Sequence, residues 1–362
     1  MKPRVLFPLS ILIAFAAANL GFAQETASAA ETAEVAEPDF SHLSEETRSV
    51  LDELKKALQD VEANGASLEK YEAIGDLYLK VGDAQRAIVI FNQAIKEFGG
   101  DEQLFLKFAR VLAVSGRPEL ALDVLNIGLE AFPGSEAITF ELGKAYVSMR
   151  KPYAAISNLM KVIEVNPEKE LYRYYLADAY RIQKKWDEAS EIIDALIEEE
   201  SDYLPVYLMK GDLLLAQGEQ RDGVRFLEDL LDEHPDSGDV KAVLVHGYQL
   251  YAYTESDAGR LTRAIRSMRS SLEIDPDNAE SMVGLASFLN EDGEYEEAEA
   301  VFEETIQKRP EFLETYMLYG KMLEYLDRVS DARAIYEKGL AKSREMGVEG
   351  AVKRYLGLLG RG

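Results

Sequence analysis

The chain has 362 residues with 11 Pro, 3 His and no Cys, and its 66 acidic against 40 basic residues give a net charge of −26. The lack of Cys removes disulfides, thiolate metal sites, Cys nucleophiles and a lipid-modified N-terminal Cys, and the charge sets the chain against nucleic acid and anionic lipid surfaces. Abundant Ala, Leu and Glu, with no β-branched runs bounded by turn signals, predict helix throughout, over a length that calls for several domains or one repetitive one.

Lys2 and Arg4 precede an apolar run from Val5 to Ala18, and Gly21-Phe22-Ala23 places small residues at −3 and −1 of a cleavage point. This is the anatomy of a secretory signal peptide over residues 1–23, cut after Ala23, with an uncleaved anchor as the alternative. Both readings export the rest of the chain, and a bacterial periplasm is the expected setting. Without Lys2 and Arg4 the net charge falls by two, to −28. Residues 24–43, rich in Ala, Glu and Thr, bury too little to offset ordering entropy and are expected to be a disordered leader. A helix is expected over 44–65, with Ser44 as N-cap, Gly65 as its end, and Leu51, Leu54, Leu58 and Val61 on one face. That face either docks on the next helices of the chain or forms a coiled-coil seam.

From residue 68 the chain repeats. Gly75, Ala109, Gly143, Ala177 and Gly211 are each 34 residues from the next, as are Ala87, Ala121, Ala155, Ala189 and Gly223. Pro133, Pro167 and Pro235 share one phase, resumed by Pro276 and Pro310. A 34-residue period with small residues at positions 8 and 20 and Pro at 32 resembles the tetratricopeptide repeat, a helix–turn–helix unit. The resemblance implies an all-α, right-handed α-solenoid of eight units over 68–346, starting at Leu68, Glu102, Glu136, Glu170, Leu204, Gly238, Ala279 and Leu313. The sixth unit has 41 residues. With Gly247 read as its position 8 and Ala264 as its position 20, most of the excess falls in YTESDAG and is expected to lengthen the inter-helix turn. Residues 347–362 supply a capping helix and tail, which a terminal repeat needs to cover its apolar face.

No Gly-rich phosphate loop, HExxH or GxSxG occurs, so no catalytic, cofactor or metal site is expected. His246, at position 7 of unit six, is expected in the core rather than as a ligand. The family's ligand surface is the first helix of each repeat, through positions 5 and 9 among others. The resemblance therefore implies binding of extended peptides or helices by Leu106, Arg110, Phe140, Lys144, Tyr174, Asp178 and Leu208. Seven of eight position-5 residues are apolar, either an exposed ligand stripe or side chains covered by the neighbouring helix. The family's carboxylate clamp, Lys at 5 and Asn at 9, is absent. Arg260, Arg263, Arg266 and Arg269 recur every three residues in unit six, as a patch for an acidic partner or as internal pairs with Glu-rich unit seven. The function these features imply is a non-enzymatic protein-interaction scaffold, with an accessory subunit of an envelope glycan synthase or protease as the alternative. Its oligomeric state is not written in the sequence.

Overall fold

A computed structural model describes residues 44–360. The signal segment, the leader and the last two residues lie outside them. The described residues form eighteen α-helices and no strand, in two compact units meeting at Gln183 and Lys184.

The first unit holds α1 (Glu45–Asn64), α2 (Leu68–Lys80), α3 (Ala84–Phe98), α4 (Glu102–Val114), α5 (Pro118–Ala131), α6 (Glu136–Ser148), α7 (Pro152–Val165) and α8 (Glu170–Ile182). Local chemistry fixes the helix starts. The side chains of Ser44, Ser67, Asp83, Asp101 and Ser135 accept from backbone N–H groups that the first turn leaves unpaired. Pro118 and Pro152 open α5 and α7, where a missing N–H costs nothing. The helix α1 docks on the first repeat: Leu54 is buried in the same core as Tyr78 and Phe91, with Leu51, Leu58 and Val61 beside it. Burying each such side chain contributes about 1.5–3 kcal/mol.

The second unit holds α9 (Trp186–Glu198), α10 (Leu204–Ala216), α11 (Gln220–Glu233), α12 (Gly238–Asp257), α13 (Leu261–Ile274), α14 (Ala279–Asp292), α15 (Tyr295–Lys308), α16 (Glu314–Tyr325), α17 (Val329–Glu345) and α18 (Glu349–Leu359). Its last helix covers the end of the stack. Tyr355 is buried and its hydroxyl donates to the carbonyl of Leu313, while Val352, Leu358 and Leu359 pack on the same core.

The two helices of a repeat cross where the first carries a small residue. A Cβ on Gly143 would lie 2.7 Å from Leu159 Cγ, and one on Gly211 2.5 Å from Leu227 Cδ2. Unit six corrects the sequence reading. Its inter-helix turn, Ala258-Gly259-Arg260, is no longer than Met149-Arg150-Lys151 of unit three. The seven extra residues lie inside the first helix: α12 has 20 residues where α10 has 13. Seven residues are about two turns, so the added length, about 10 Å, returns the helix to nearly the same face. The small residue at the crossing is Ala252, which stands before Met268 as Gly143 stands before Leu159, and both Ala252 and Met268 are fully buried. Gly247 instead meets the preceding repeat, where a Cβ would lie 3.3 Å from Leu215 and from Val224. The shift also overturns the core placement of His246, which is exposed.

Candidate functional site

In the first unit, the first helices of three successive repeats, α4, α6 and α8, flank a cleft of about 400 Å³. Its wall is apolar, with Ala109, Ala113, Val114, Pro118, Ala145 and Val147, and Val114 is 86% exposed. Arg110, Lys144 and Asp178, at position 9 of their repeats, line it with Glu141 and Tyr175. Two of these charges are already matched. Lys144 Nζ lies 2.9 Å from Glu141 Oε1, one turn away on α6, and above the rings of Phe140 and Tyr175. Asp178 Oδ1 accepts from Arg181 Nη2 at 2.7 Å and Nε at 3.0 Å. Arg110 is exposed and makes no ion pair with any described residue. An uncompensated guanidinium beside an apolar wall suits a chain segment carrying one carboxylate next to an apolar side chain.

The apolar position-5 residues do not form a wet stripe. Phe140 and Val283 are buried, Leu106, Tyr174, Leu208 and Met317 are half-buried, and in unit six the shifted register puts the buried Gln249, not Leu244, at this position. The reason is aromatic packing from the next repeat. Phe140 is 8% exposed because the rings of Tyr172 and Tyr175 lie 4.5 and 5.6 Å from its own, centre to centre. A hydrogen-bond network locks that arrangement. The Tyr172 hydroxyl donates to Glu136 Oε1 at 2.5 Å and accepts from Lys169 Nζ at 2.8 Å, and Asn166 also donates to Glu136. These donors, the tyrosine first, hold the Glu136 carboxyl below its ordinary range. Phe140 is therefore a core residue and not a solvent-facing anchor. Leu106 packs on the core of the first unit, Tyr174 sets its ring edge-on to Tyr175, and Leu208 packs on the core of the second unit. The structure thus unites Arg110, Lys144 and Asp178 in one cleft and leaves the other four expected contacts out of it.

One family profile described as tetratricopeptide repeat matches residues 72–136, 140–205 and 291–346, and two further ones of the same description match 206–237 and 256–311. The chain belongs to the tetratricopeptide repeat family. A repeat-containing protein of Bacillus subtilis, YpiA, is 24% identical over 161 residues, which cover 44% of this chain. The match spans 36% of that relative's length. Among solved structures, the C-terminal part of a repeat protein from Cytophaga hutchinsonii superposes with a TM-score of 0.52 at 16% identity, covering 66% of this chain and 96% of that one. A repeat protein from Parabacteroides merdae gives 0.49 at 18% identity, with 68% and 96% covered. At 16% identity the likeness is one of fold, the all-α repeat architecture. Among the described residues, no group of three His, Asp or Glu could hold a metal ion, and no helix is long and apolar enough to cross a membrane.

The arginines of repeat six separate. Steps of three residues rotate about 60° backwards around a helix, so four of them wrap about halfway round and face different neighbours. Arg260, the N-cap of α13, donates to both oxygens of Glu255 at 2.6 and 2.7 Å, and Arg269 donates to Glu297 at 2.7 Å. Internal pairing therefore takes these two, one of them with unit seven as expected. Arg263, 3.4 Å from Glu255, and Arg266 line a different cleft, together with Arg221 and Arg225 of α11. The sequence reading missed Arg221 and Arg225. Their i,i+4 spacing was legible, but their meeting with another repeat was not.

Proposed function

We propose that the protein is a non-enzymatic scaffold of the cell envelope that holds an extended segment of a partner protein in the α4–α6–α8 cleft. The unpaired Arg110 beside an apolar wall is the observation that carries this reading. The guanidinium fork takes a carboxylate, at a chain terminus or on an Asp or Glu side chain. Ala113, Val114, Ala145 and Val147 take an apolar neighbour. Glu141 and Asp178, already paired, turn away a second acidic group and so set specificity. Export is supported by the charged start, apolar run and small residues of the first 23 positions.

The test is a cross-linked pull-down from envelope fractions with the wild-type chain and with Arg110→Glu and Val114→Glu, both changes at exposed positions. Each variant should lose the wild-type partners, by about tenfold or more, while keeping its helical signal and melting temperature. An unchanged partner set would overturn the cleft. A synthase or protease among the lost partners would make the scaffold an accessory subunit. Intact-mass analysis of the osmotic-shock fluid should show a chain beginning at Gln24, and Met1 retained in the cytoplasm would overturn export.

A further inference from the structure

The second unit carries a concentration of positive charge that the composition of the chain opposes. A cleft of about 520 Å³ is lined by Arg221 and Arg225 of α11, Tyr248 and Tyr251 of α12, and Arg263 and Arg266 of α13. Four guanidiniums thus face one cleft in a chain whose net charge is −26. Its one lining carboxylate, Glu228, accepts a hydrogen bond from the Tyr248 hydroxyl at 2.5 Å. Arg263 shares Glu255 with Arg260, whereas Arg221, Arg225 and Arg266 are exposed and make no ion pair with a described residue. Like charges brought together without partners cost free energy, and the protein keeps them side by side on two adjacent repeats. Such a cluster is stabilised when an anion arrives.

We propose that this cleft is a second binding site, which takes an oxyanion-bearing peptide segment of a partner protein. Arg221 and Arg225 lie one turn apart on α11, and Arg263 and Arg266 nearly one turn apart on α13, so neighbouring guanidiniums are about 5–6 Å apart at their roots. That spacing gives successive acidic side chains a guanidinium fork each, where a lone small anion would engage only part of the set. The Tyr248 and Tyr251 rings offer flat apolar faces to the intervening peptide atoms. Burial and the bond to Glu228 push the Tyr248 phenol up from its ordinary range, so it remains a neutral donor and Glu228 stays engaged. A long polyanion such as nucleic acid would carry charge well past the cleft, into the field of 66 acidic side chains. A short peptide confines its charge to the arginines. The oxyanions are either carboxylates of Asp and Glu or phosphate esters, since the fork fits both.

Fluorescence titration of the full chain at low salt tests this with four probes: a labelled peptide alternating Glu and Ser, its phosphoserine counterpart, inorganic phosphate as competitor, and an oligouridylate. One or both peptides should bind. Paired Arg221→Glu and Arg225→Glu changes, or Arg266→Glu, should weaken that binding by about tenfold or more. Arg269→Glu, which alters an arginine already paired outside the cleft, should leave it unchanged, as should Arg110→Glu. Tighter capture of the phosphoserine peptide assigns the oxyanion to phosphate ester, and equal or weaker capture assigns it to carboxylate. Binding of neither peptide overturns the site, as does binding indifferent to the Arg221, Arg225 and Arg266 changes. Competition by phosphate with the affinity of the peptides makes it a small-anion site, and tighter binding of the oligouridylate moves it to nucleic acid; both results also overturn the proposal. Loss through Arg110→Glu alone would place the peptide in the α4–α6–α8 cleft, against this proposal and in favour of the first site.

Discussion

One residue in each inter-helix turn, the fifteenth in a regular repeat, sets the angle at which two helices meet. It has a positive φ in all eight repeats: Gly82, Gly116, Gly218, Gly259 and Gly293 in five, Arg150, Lys184 and Asp327 in the others. A side chain in that conformation costs roughly 1–2 kcal/mol. Gly116 isolates the effect, because its φ is +74° and nothing lies within 4 Å of where a Cβ would stand. Gly116→Ala should cost about 1–2 kcal/mol in denaturant melts. Gly357→Ala, inside α18 with equally open surroundings, should stabilise by about 0.5–1 kcal/mol. Equal shifts at the two would mean that the turn conformation is not the cause. Packing decides the next case. Phe140→Ala removes a ring wedged against Tyr172 and Tyr175 and should cost about 3–5 kcal/mol. Val114→Ala, at a side chain 86% exposed, should stay within about 0.5 kcal/mol.

At the scale of elements, the crossing of paired helices was legible and the place of the insertion was not. Small residues every 34 positions announce the crossings because no other side chain fits there. Ala155, fully buried, is the recurrent small residue of the second helix of its repeat, and Ala154 beside it is half-buried. Ala155→Leu should cost roughly 1–3 kcal/mol in denaturant melts, and Ala154→Leu markedly less. In unit six a spacing of 41 counts seven extra residues without locating them. Gly247 and Ala252 are both small, and Thr254-Glu255-Ser256-Asp257 is as polar as a loop. Gly259, in phase with the turn glycines of the other repeats, was the signal that placed the turn. The arginine cleft escaped for another reason. Its members come from two repeats, and a repeat-by-repeat reading never sets α11 beside α13. Glu255, at the end of the lengthened helix, ties its turn to Arg260 and Arg263. Those bonds, Arg260 first, hold its carboxyl below the ordinary 4.5. A depressed carboxyl contributes stability above its unfolded value and loses it as pH falls through the folded one. The melting temperature of Glu255→Gln should therefore lie below wild type at pH 6, with the gap closing as pH falls below 4.5. A constant gap would assign the loss to packing.

For the whole molecule, the excess of acid decides how stability responds to salt. The ion pairs of the described residues are mostly exposed, as at Arg333–Glu337 and Lys308–Glu304, and each is worth at most about 1 kcal/mol. Screening weakens them, and alone would lower the melting temperature as salt is added. The opposing effect is larger in reach. With 66 acidic and 40 basic residues, 26 negative charges have no counterpart, and folding draws them together. At about 0.01 M salt the screening length is near 30 Å, long enough for carboxylates several repeats apart to repel one another. At about 0.15 M it falls near 8 Å, so repulsion between separate repeats fades while pairs in contact at about 3 Å keep most of their attraction. Repulsion is thus lost faster than attraction. The melting temperature at pH 7 should rise between these two salt concentrations and level off above them. Replacing the unpaired Arg221 and Arg225 by Glu removes two positive charges and adds two negative ones, a net shift of −4, and should steepen the rise. A melting temperature that falls with salt would mean that contact pairs within repeats outweigh the excess charge, and a slope unchanged by the double substitution would separate that response from net charge altogether.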